Sequence, residues 1–205
     1  MSIVDIYTLV APLYDGVRSA WAKGIMGRAE AYLEREVLPR LVTPETRILD
    51  LGSGTGVNLA RLRRLELPFA SYVGLDMTPA MLMKAQAKLD GQTAAAFLQG
   101  DIWRLPFADR SFDLVISTWA LSHLWPPHKV FDEVGRVLDP KGAAFALFWS
   151  QPAWPMSQVA KWVEQPFEMR FVERADLERS LGEQAITHHF AGGWGGSIEF
   201  KPSPM

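Results

Sequence analysis

The sequence predicts an α/β fold: a doubly wound, seven-stranded mixed sheet whose last strand runs antiparallel, preceded by a helical N-terminal segment. Three observations carry this. Between residues 46 and 149, five short apolar runs alternate with helix-length stretches, the arrangement of parallel strands joined by right-handed crossovers. Two further apolar runs near the C-terminus face each other across a glycine-rich connection, as in a hairpin, which makes the sheet mixed. The first strand also breaks abruptly into "GSGTG", three glycines at alternate positions, which calls for a tight turn or something pressed against the backbone.

The elements follow in order. Residues 1–40 read as helical, with Trp21, Ile25, Ala29, Tyr32 and Leu33 at helix-like spacing and Pro39 and Pro44 as the stop. "TRILDL" (46–51) is a continuous apolar strand, the pattern of a strand covered on both faces. "VNLARLRRLEL" (57–67) is an amphipathic helix and "SYVGLD" (71–76) a second strand ending in an acid. Thr78-Pro79 opens the helix "PAMLMKAQAKLD", which stops at Gly91. Strands at 94–101 and 111–117 follow. The helix "PPHKVFDEVGRVLDPKG" shows Val130, Val134, Val137 and Leu138 on one face and is closed by Pro140 and Gly142. "AAFALFW" (143–149) is the fifth strand, a helix spans about 173–181, and "AITHHFAG" and "SIEFKP" form the hairpin around the tip "AGGWGGS" (191–197).

A length of 205 residues suits one domain, 1–205, able to bury roughly 70% of its unfolded surface. Its parts are the N-terminal helices (1–44), the core (45–150) and the C-terminal helices and hairpin (151–205). Lys+Arg 21 against Asp+Glu 23 leaves a net charge of −2, so no general pull draws the chain to nucleic acid or anionic membranes. The absence of cysteine excludes a disulfide framework, a thiol nucleophile and a Cys-based metal site. The N-terminus has no basic n-region, and no apolar run approaches about 20 residues, so no stable membrane insertion and a cytoplasmic location are expected.

In a sheet of this kind, ligands bind beyond the carboxyl ends of the strands where the strand order reverses. The run Gly52-Ser53-Gly54-Thr55-Gly56 lies there, placing backbone N–H groups and a helix start against a bound polar group. A plain turn needs one glycine; three favour a ligand loop. A Walker-type loop is excluded by Gly56-Val57-Asn58, and Val57 stands where a dinucleotide fingerprint requires glycine.

Taken together, "ILDLGSGTG", "YVGLD", "GDIWRLPFADRSFDLVIS" and "GRVLDPKGAAF" resemble the successive motifs of class I S-adenosylmethionine-dependent methyltransferases. They most resemble the small ubiquinone/menaquinone-biosynthesis-like (methyltransferase type 11) branch, over roughly residues 45–150, and "APLYD" resembles its opening. The resemblance implies a Rossmann-like fold. It also implies S-adenosyl-L-methionine as cofactor, S-adenosyl-L-homocysteine as product, no metal, and N-terminal helices folded over the cofactor as a lid. It places Gly52, Ser53, Gly54 and Gly56 against the cofactor and has Asp50 anchor the methionine ammonium through water or the loop. Asp76, 20 residues past Gly56 and followed by Met77, would accept both ribose hydroxyls. After Gly100, Asp101 would accept from the adenine amino group while Ile102 stacks on the ring. Ser117 would face the transferable methyl, with Tyr14 and Tyr7 closing the site. Competing readings stand beside these: a helix N-cap for Asp76, a surface-turn residue for Asp101, and plain helix packing for the two tyrosines.

Methyl transfer from a sulfonium is an in-line displacement that mainly requires alignment and desolvation, with a general base only for a protonated acceptor of high pKa. After the fourth strand the chain reads Ser117-Thr118-Trp119-Ala120-Leu121-Ser122-His123. It lacks the Asn/Asp-Pro-Pro-Tyr of enzymes acting on nucleobase or glutamine amino groups. It also lacks the acidic metal ligand of catechol-type enzymes and the cysteines of arsenic methyltransferases. His123 is the candidate base; the alternative is a helix-start histidine bonded to backbone. His128 is expected to be exposed, and at most one of His188 and His189 to point inward. Most of the 8 tryptophans are assigned to the core, with Trp119 and Trp149 placed to wall an apolar pocket. The expected activity is methylation of a small apolar or aromatic acceptor, or a lipid headgroup, at O, N or C. A protein that binds S-adenosylmethionine or S-adenosylhomocysteine without turnover is the alternative; a nicotinamide dehydrogenase is disfavoured by Val57 and Asp101.

Overall fold

The alternating apolar runs come together as one sheet in the computed structural model, which describes residues 2–24, 26–89, 91, 94–164, 169–181 and 186–201. The strands are β1 (Arg47–Leu51), β2 (Ser71–Asp76), β3 (Ala95–Gln99), β4 (Phe112–Thr118), β5 (Leu138–Trp149), β6 (Ile186–Phe190) and β7 (Gly195–Phe200). They lie in the order β3-β2-β1-β4-β5-β7-β6. β1 pairs parallel with β2 and β4, β2 with β3, and β4 with β5. β7 alone is antiparallel, inserted between β5 and β6 as the predicted hairpin requires. The helices are α1 (Ile3–Lys23), α2 (Gly27–Tyr32), α3 (Leu38–Leu41), α4 (Val57–Arg64), α5 (Pro79–Gln86), α6 (Pro127–Val137), α7 (Met156–Glu164) and α8 (Arg174–Leu181). None of them is long and apolar enough to cross a membrane.

β1 shows why the central strands are apolar throughout. Leu49 and Leu51 join a cluster with Val130, Val134 and Leu177, while Ile48 points the other way, into a cluster with Leu33, Leu38, Leu59 and Leu82. Ile48 and Leu49 are completely buried, each such side chain stabilising the fold by about 1.5–3 kcal/mol.

Several boundaries differ from expectation. Pro39 does not end the N-terminal helical region; it sits in the first turn of α3, where its missing N–H is not needed, just after a π-helical turn (Leu33–Val37). α1 and α2 are separate helices; Ile25 lies outside the described residues. α5 ends at Gln86, short of Asp90, which also lies outside them. α6 stops at Val137, not Gly142, because Pro140 disfavours helix at Asp139 and Leu138 pairs with Phe112 instead. The hairpin tip is shorter than "AGGWGGS", since β7 starts at Gly195. Gly196 belongs to that strand because a Cβ there would come 2.5 Å from the Phe148 ring.

The strand order reverses between β1 and β4, so the crevice lies where their carboxyl ends part.

Candidate functional site

β1 runs out into three glycines that all adopt left-handed backbone: Gly52 at φ +68, Gly54 at +54 and Gly56 at +76. They serve different purposes. A Cβ on Gly52 would strike the Ala120 Cβ at 2.4 Å, and one on Gly56 the Phe97 ring at 2.8 Å, so both are glycine for close packing. At Gly54 a Cβ would meet nothing within 4 Å. It faces open space. The loop is held from behind by β2: Gly52 and Ser53 N–H groups donate to the Leu75 carbonyl at 2.8 and 3.0 Å.

Asp76 joins the two strand ends. Its carboxylate accepts from the Gly54 N–H at 2.8 Å and from the Thr78 N–H at 2.8 Å. The second bond does the work of a helix cap, since the Thr78 side chain makes no cap bond of its own. Burial pushes the Asp76 carboxyl above its ordinary value, against the pull of these N–H donors.

Beside this pair lies a cavity of about 210 Å³. Gly52, Gly54, Asp76 and Met77 line its strand-end side, with Ile102 and Trp103 from beyond β3. Thr118, Trp119, Ala120 and His123 follow from the end of β4, and α1 closes the space with Ile3, Tyr7 and Tyr14. α1 is tied down by polar contacts to separate elements. The Tyr7 hydroxyl lies 3.1 Å from His123 Nε2, the Thr55 hydroxyl donates to Asp15 at 2.5 Å, and Lys88 pairs with Asp15 at 3.0 Å. Burial raises the phenols of Tyr7 and Tyr14, keeping both neutral.

Of the residues singled out in the sequence, Gly52, Gly54, Asp76, Met77, Ile102, Tyr7, Tyr14, Trp119 and His123 thus share one cavity. The rest stand behind or beside it. Asp50 is fully buried, its carboxylate accepting from Asn58 Nδ2 at 3.0 Å and from the Tyr72 hydroxyl. Its burial therefore has partners within the chain, and it holds the carboxyl up at about 6. Ser117 donates to the Leu51 carbonyl at 2.9 Å, knitting β4 to β1. Ser53 Oγ is buried and has no partner among the described residues. Gly100 gives way to Leu75, whose Cδ1 would lie 2.6 Å from a Cβ. Asp101 is exposed and accepts from the Trp103 N–H at 2.9 Å, the geometry of a turn. His128, His188 and His189 are all exposed. Trp149 packs against Trp119 at 5.6 Å and does not line the cavity, and Trp154 and Trp162 are surface residues, not core.

A buried polar hub escaped the sequence reading. Glu30 of α2 accepts from Arg18 of α1 at 2.8 Å and from the indole N–H of Trp119 at 2.8 Å, and pairs with Arg61 of α4. Arg61 also meets Asn58 and Glu34, and Asn58 reaches both Asp50 and the Thr118 hydroxyl. One connected network therefore runs from α1, beneath the cavity wall, to β1. Its members look like ordinary surface charges of amphipathic helices, and only their partners, far away in sequence, show otherwise.

Residues 49–146 match the methyltransferase domain family. A demethylmenaquinone methyltransferase of Lactobacillus johnsonii is 32% identical over 155 residues, 74% of this chain and 62% of that protein. The chain thus spans about three-fifths of the length of such curated relatives. Among solved structures, a Haloferax volcanii putative methyltransferase in complex with the Trm112 activator superposes with a TM-score of 0.75 at 21% identity, over 96% of this chain and 97% of that one. Geranyl diphosphate C-methyltransferase of Streptomyces coelicolor, in complex with Mg2+, geranyl diphosphate and S-adenosyl-L-homocysteine, superposes with a TM-score of 0.72 at 12% identity, over 88% and 83%. The family match and the demethylmenaquinone methyltransferase relatives support a class I S-adenosylmethionine-dependent methyltransferase of the ubiquinone/menaquinone type.

Proposed function

We propose that the chain transfers a methyl group from S-adenosylmethionine to a small aromatic acceptor of the quinol type. The observation that carries this reading is one cavity with two characters: a polar strand-end side, Asp76 and the open Gly54, and an apolar wall of Trp119, Leu124 and Tyr7. A nucleoside and amino-acid ligand suits the first, an apolar ring the second.

In this reading Asp76 accepts the ribose hydroxyls while keeping its bonds to Gly54 and Thr78, and Gly54 leaves room for the methionine portion. Ile102 packs on the adenine, Asp101 reaches the adenine edge from the turn it caps, and Met77 and Tyr14 cover the nucleoside. Ser53, Gly56, Gly100 and Ser117 support these groups from behind. Asp50 acts through Asn58 and the network rather than by touching the ligand. When bound, S-adenosylmethionine supplies an electrophilic methyl whose leaving group is already cationic. What remains for the chain is alignment and exclusion of water, which can lower the barrier by about 7–11 kcal/mol. No metal enters the step. α1, which covers the cavity with Ile3, Tyr7 and Tyr14, serves as the lid that admits the reactants and shuts out water.

The demethylmenaquinone methyltransferase relatives support a quinol-like acceptor, and the neighbour holding S-adenosylhomocysteine supports the cofactor. The test is incubation with methyl-labelled S-adenosylmethionine and reduced prenylated 1,4-naphthoquinones, with and without EDTA, followed by mass spectrometry. Labelled naphthoquinol in equal yield with EDTA is expected. Tight binding of S-adenosylhomocysteine with no labelled product, even from a metabolite extract, would establish the non-catalytic alternative instead.

A further inference from the structure

We propose that Tyr7 and His123 form a proton relay in which Tyr7 meets the hydroxyl of the acceptor and His123 receives the proton. The proposal rests on the methyl-transfer reading above and names the groups that would activate its acceptor.

The Tyr7 hydroxyl and His123 Nε2 are 3.1 Å apart, and their rings stand nearly perpendicular, at 88° with centroids 5.7 Å apart. Both side chains line the cavity, in company with Ile3, Trp119 and Leu124. The imidazole sits on a short 3₁₀ turn (Leu121–His123) fixed on several sides. His123 N–H donates to the Ala120 carbonyl at 2.9 Å, the Ser122 hydroxyl accepts from the Trp149 N–H at 3.1 Å, and the Ser122 carbonyl accepts from the Arg170 N–H at 2.8 Å. Tyr7 comes from the opposite side, on α1. Neither residue is placed by the other's local structure, so the contact exists only while α1 is closed.

Chemistry sets the order of the two groups. Burial keeps Tyr7 a neutral phenol. With His123 protonated on Nδ1, the tautomer the relay requires, Tyr7 donates to the single lone pair of Nε2 and its own oxygen can still accept from a second hydroxyl. An acceptor approaching from the cavity therefore meets the phenol oxygen first. The acceptor hydroxyl gives its proton to Tyr7 Oη as Tyr7 gives its own to His123 Nε2. The acceptor forms a bond to the methyl carbon, and the S–CH3 bond breaks with its electron pair remaining on sulfur. Attack through oxygen leaves a methyl ether, a thioether and an imidazolium. Attack through the ring carbon conjugated with that oxygen leaves a ketone, which regains its aromatic ring by losing the carbon's proton to solvent and recovering the oxygen's proton from the imidazolium.

The experiment compares wild type, Tyr7→Phe, His123→Gln and the double variant, with His128→Ala as an exposed control. Turnover is assayed on the naphthoquinol probes, S-adenosylhomocysteine affinity by calorimetry, and imidazole tautomers by long-range ¹H–¹⁵N spectra of the S-adenosylhomocysteine complex. Each single variant is expected to lower kcat by about 10²–10⁴-fold with little change in KM, and the double variant to be no worse than the poorer single one. Circular dichroism and S-adenosylhomocysteine affinity should stay within threefold of wild type. Beside His188, whose Nε2 lies 2.9 Å from the Tyr32 hydroxyl, the wild-type spectrum should show a second imidazole protonated on Nδ1 with a hydrogen-bonded Nε2, and that second signature should be lost in Tyr7→Phe. A Tyr7→Phe enzyme with wild-type kcat, or an unchanged imidazole spectrum, would overturn the relay while leaving the methyl-transfer reading intact. A wild type that binds S-adenosylhomocysteine but methylates none of the probes would overturn that reading, and the relay with it.

Discussion

The two sides of the cavity are built by different means. The strand-end side is made of backbone: N–H groups of Gly52, Ser53 and Gly54 meet the Leu75 carbonyl and the Asp76 carboxylate, all within two adjacent strands. The α1 side is made of side chains brought from far apart, Tyr7 to His123 across 116 positions and Trp119 to Glu30 across 89. A backbone-built surface can be made only by residues that tolerate its angles, so its composition is constrained. A side-chain-built surface can be remade by swapping pairs. Under the proposed methyl transfer, this division would separate what recognises the cofactor from what suits a particular acceptor.

The largest effect should come from Gly54→Val, which attacks the backbone-built side alone. It places a branched Cβ at φ +54, projecting into open space in the cavity, and should abolish measurable S-adenosylhomocysteine binding while circular dichroism stays native. Calorimetry on the folded variant checks this; wild-type affinity would show that the open space at Gly54 is not where the ligand lies.

Glu30→Ala strikes the other side. It removes the carboxylate that Arg18, Arg61 and the Trp119 indole share, leaving Arg61 with Glu34 and Asn58, and should cost about 3–5 kcal/mol of stability in urea unfolding. The strand-end contacts are untouched, so S-adenosylhomocysteine affinity should change less than threefold.

Asp76→Ala should mix the two outcomes, because one carboxylate both caps α5 and faces the cavity. Binding should weaken by about 2–4 kcal/mol through loss of charge-assisted bonds to the ribose, and stability should drop by about 1 kcal/mol through loss of the bond to Thr78. A lowered melting temperature beside an unchanged Kd would leave only the cap.

Asp50→Asn should show its effect chiefly against pH. Burial raises the folded carboxyl to about 6, whereas an unfolded aspartate titrates near about 4. The folded chain therefore binds the proton more tightly, and this group's contribution to stability is complete below about 4 and lost as pH rises through about 6. Unfolding free energies of the variant minus wild type, taken at pH 4 and pH 7, should rise with pH; a flat difference would place the Asp50 proton elsewhere.

The same division governs how much could be read in advance. Glycine at alternate positions, an acid at the end of β2 and unbroken apolar runs are local signals with local causes, and they located the strands, the crevice, the glycine loop and Asp76; the strand order and the Asp76–Gly54 bond came only with the structure. Boundary errors arose where tertiary pairing overrode a local stop, as when Leu138 left α6 to pair with Phe112. Glu30 and Arg61 were invisible because a buried charge pair differs from a solvated one only in what surrounds it. Nor does any local pattern announce that Tyr72, 22 residues on, turns its hydroxyl toward Asp50.

Trp119 has an optical consequence. Its indole N–H is bound to a carboxylate, its ring lies against Trp149, and it forms part of the cavity wall. Trp154 and Trp162, by contrast, stand 79% and 85% exposed. Acrylamide should extinguish the red-shifted light of that exposed pair and leave the blue emission of buried indoles. Filling the cavity should then alter the colour and lifetime of what is left, and Trp119→Phe should reduce the response to what Trp103, which also lines the cavity, supplies. The protein carries a native fluorophore at the seam between the two sides of its cavity, so occupancy can be watched in solution without a label.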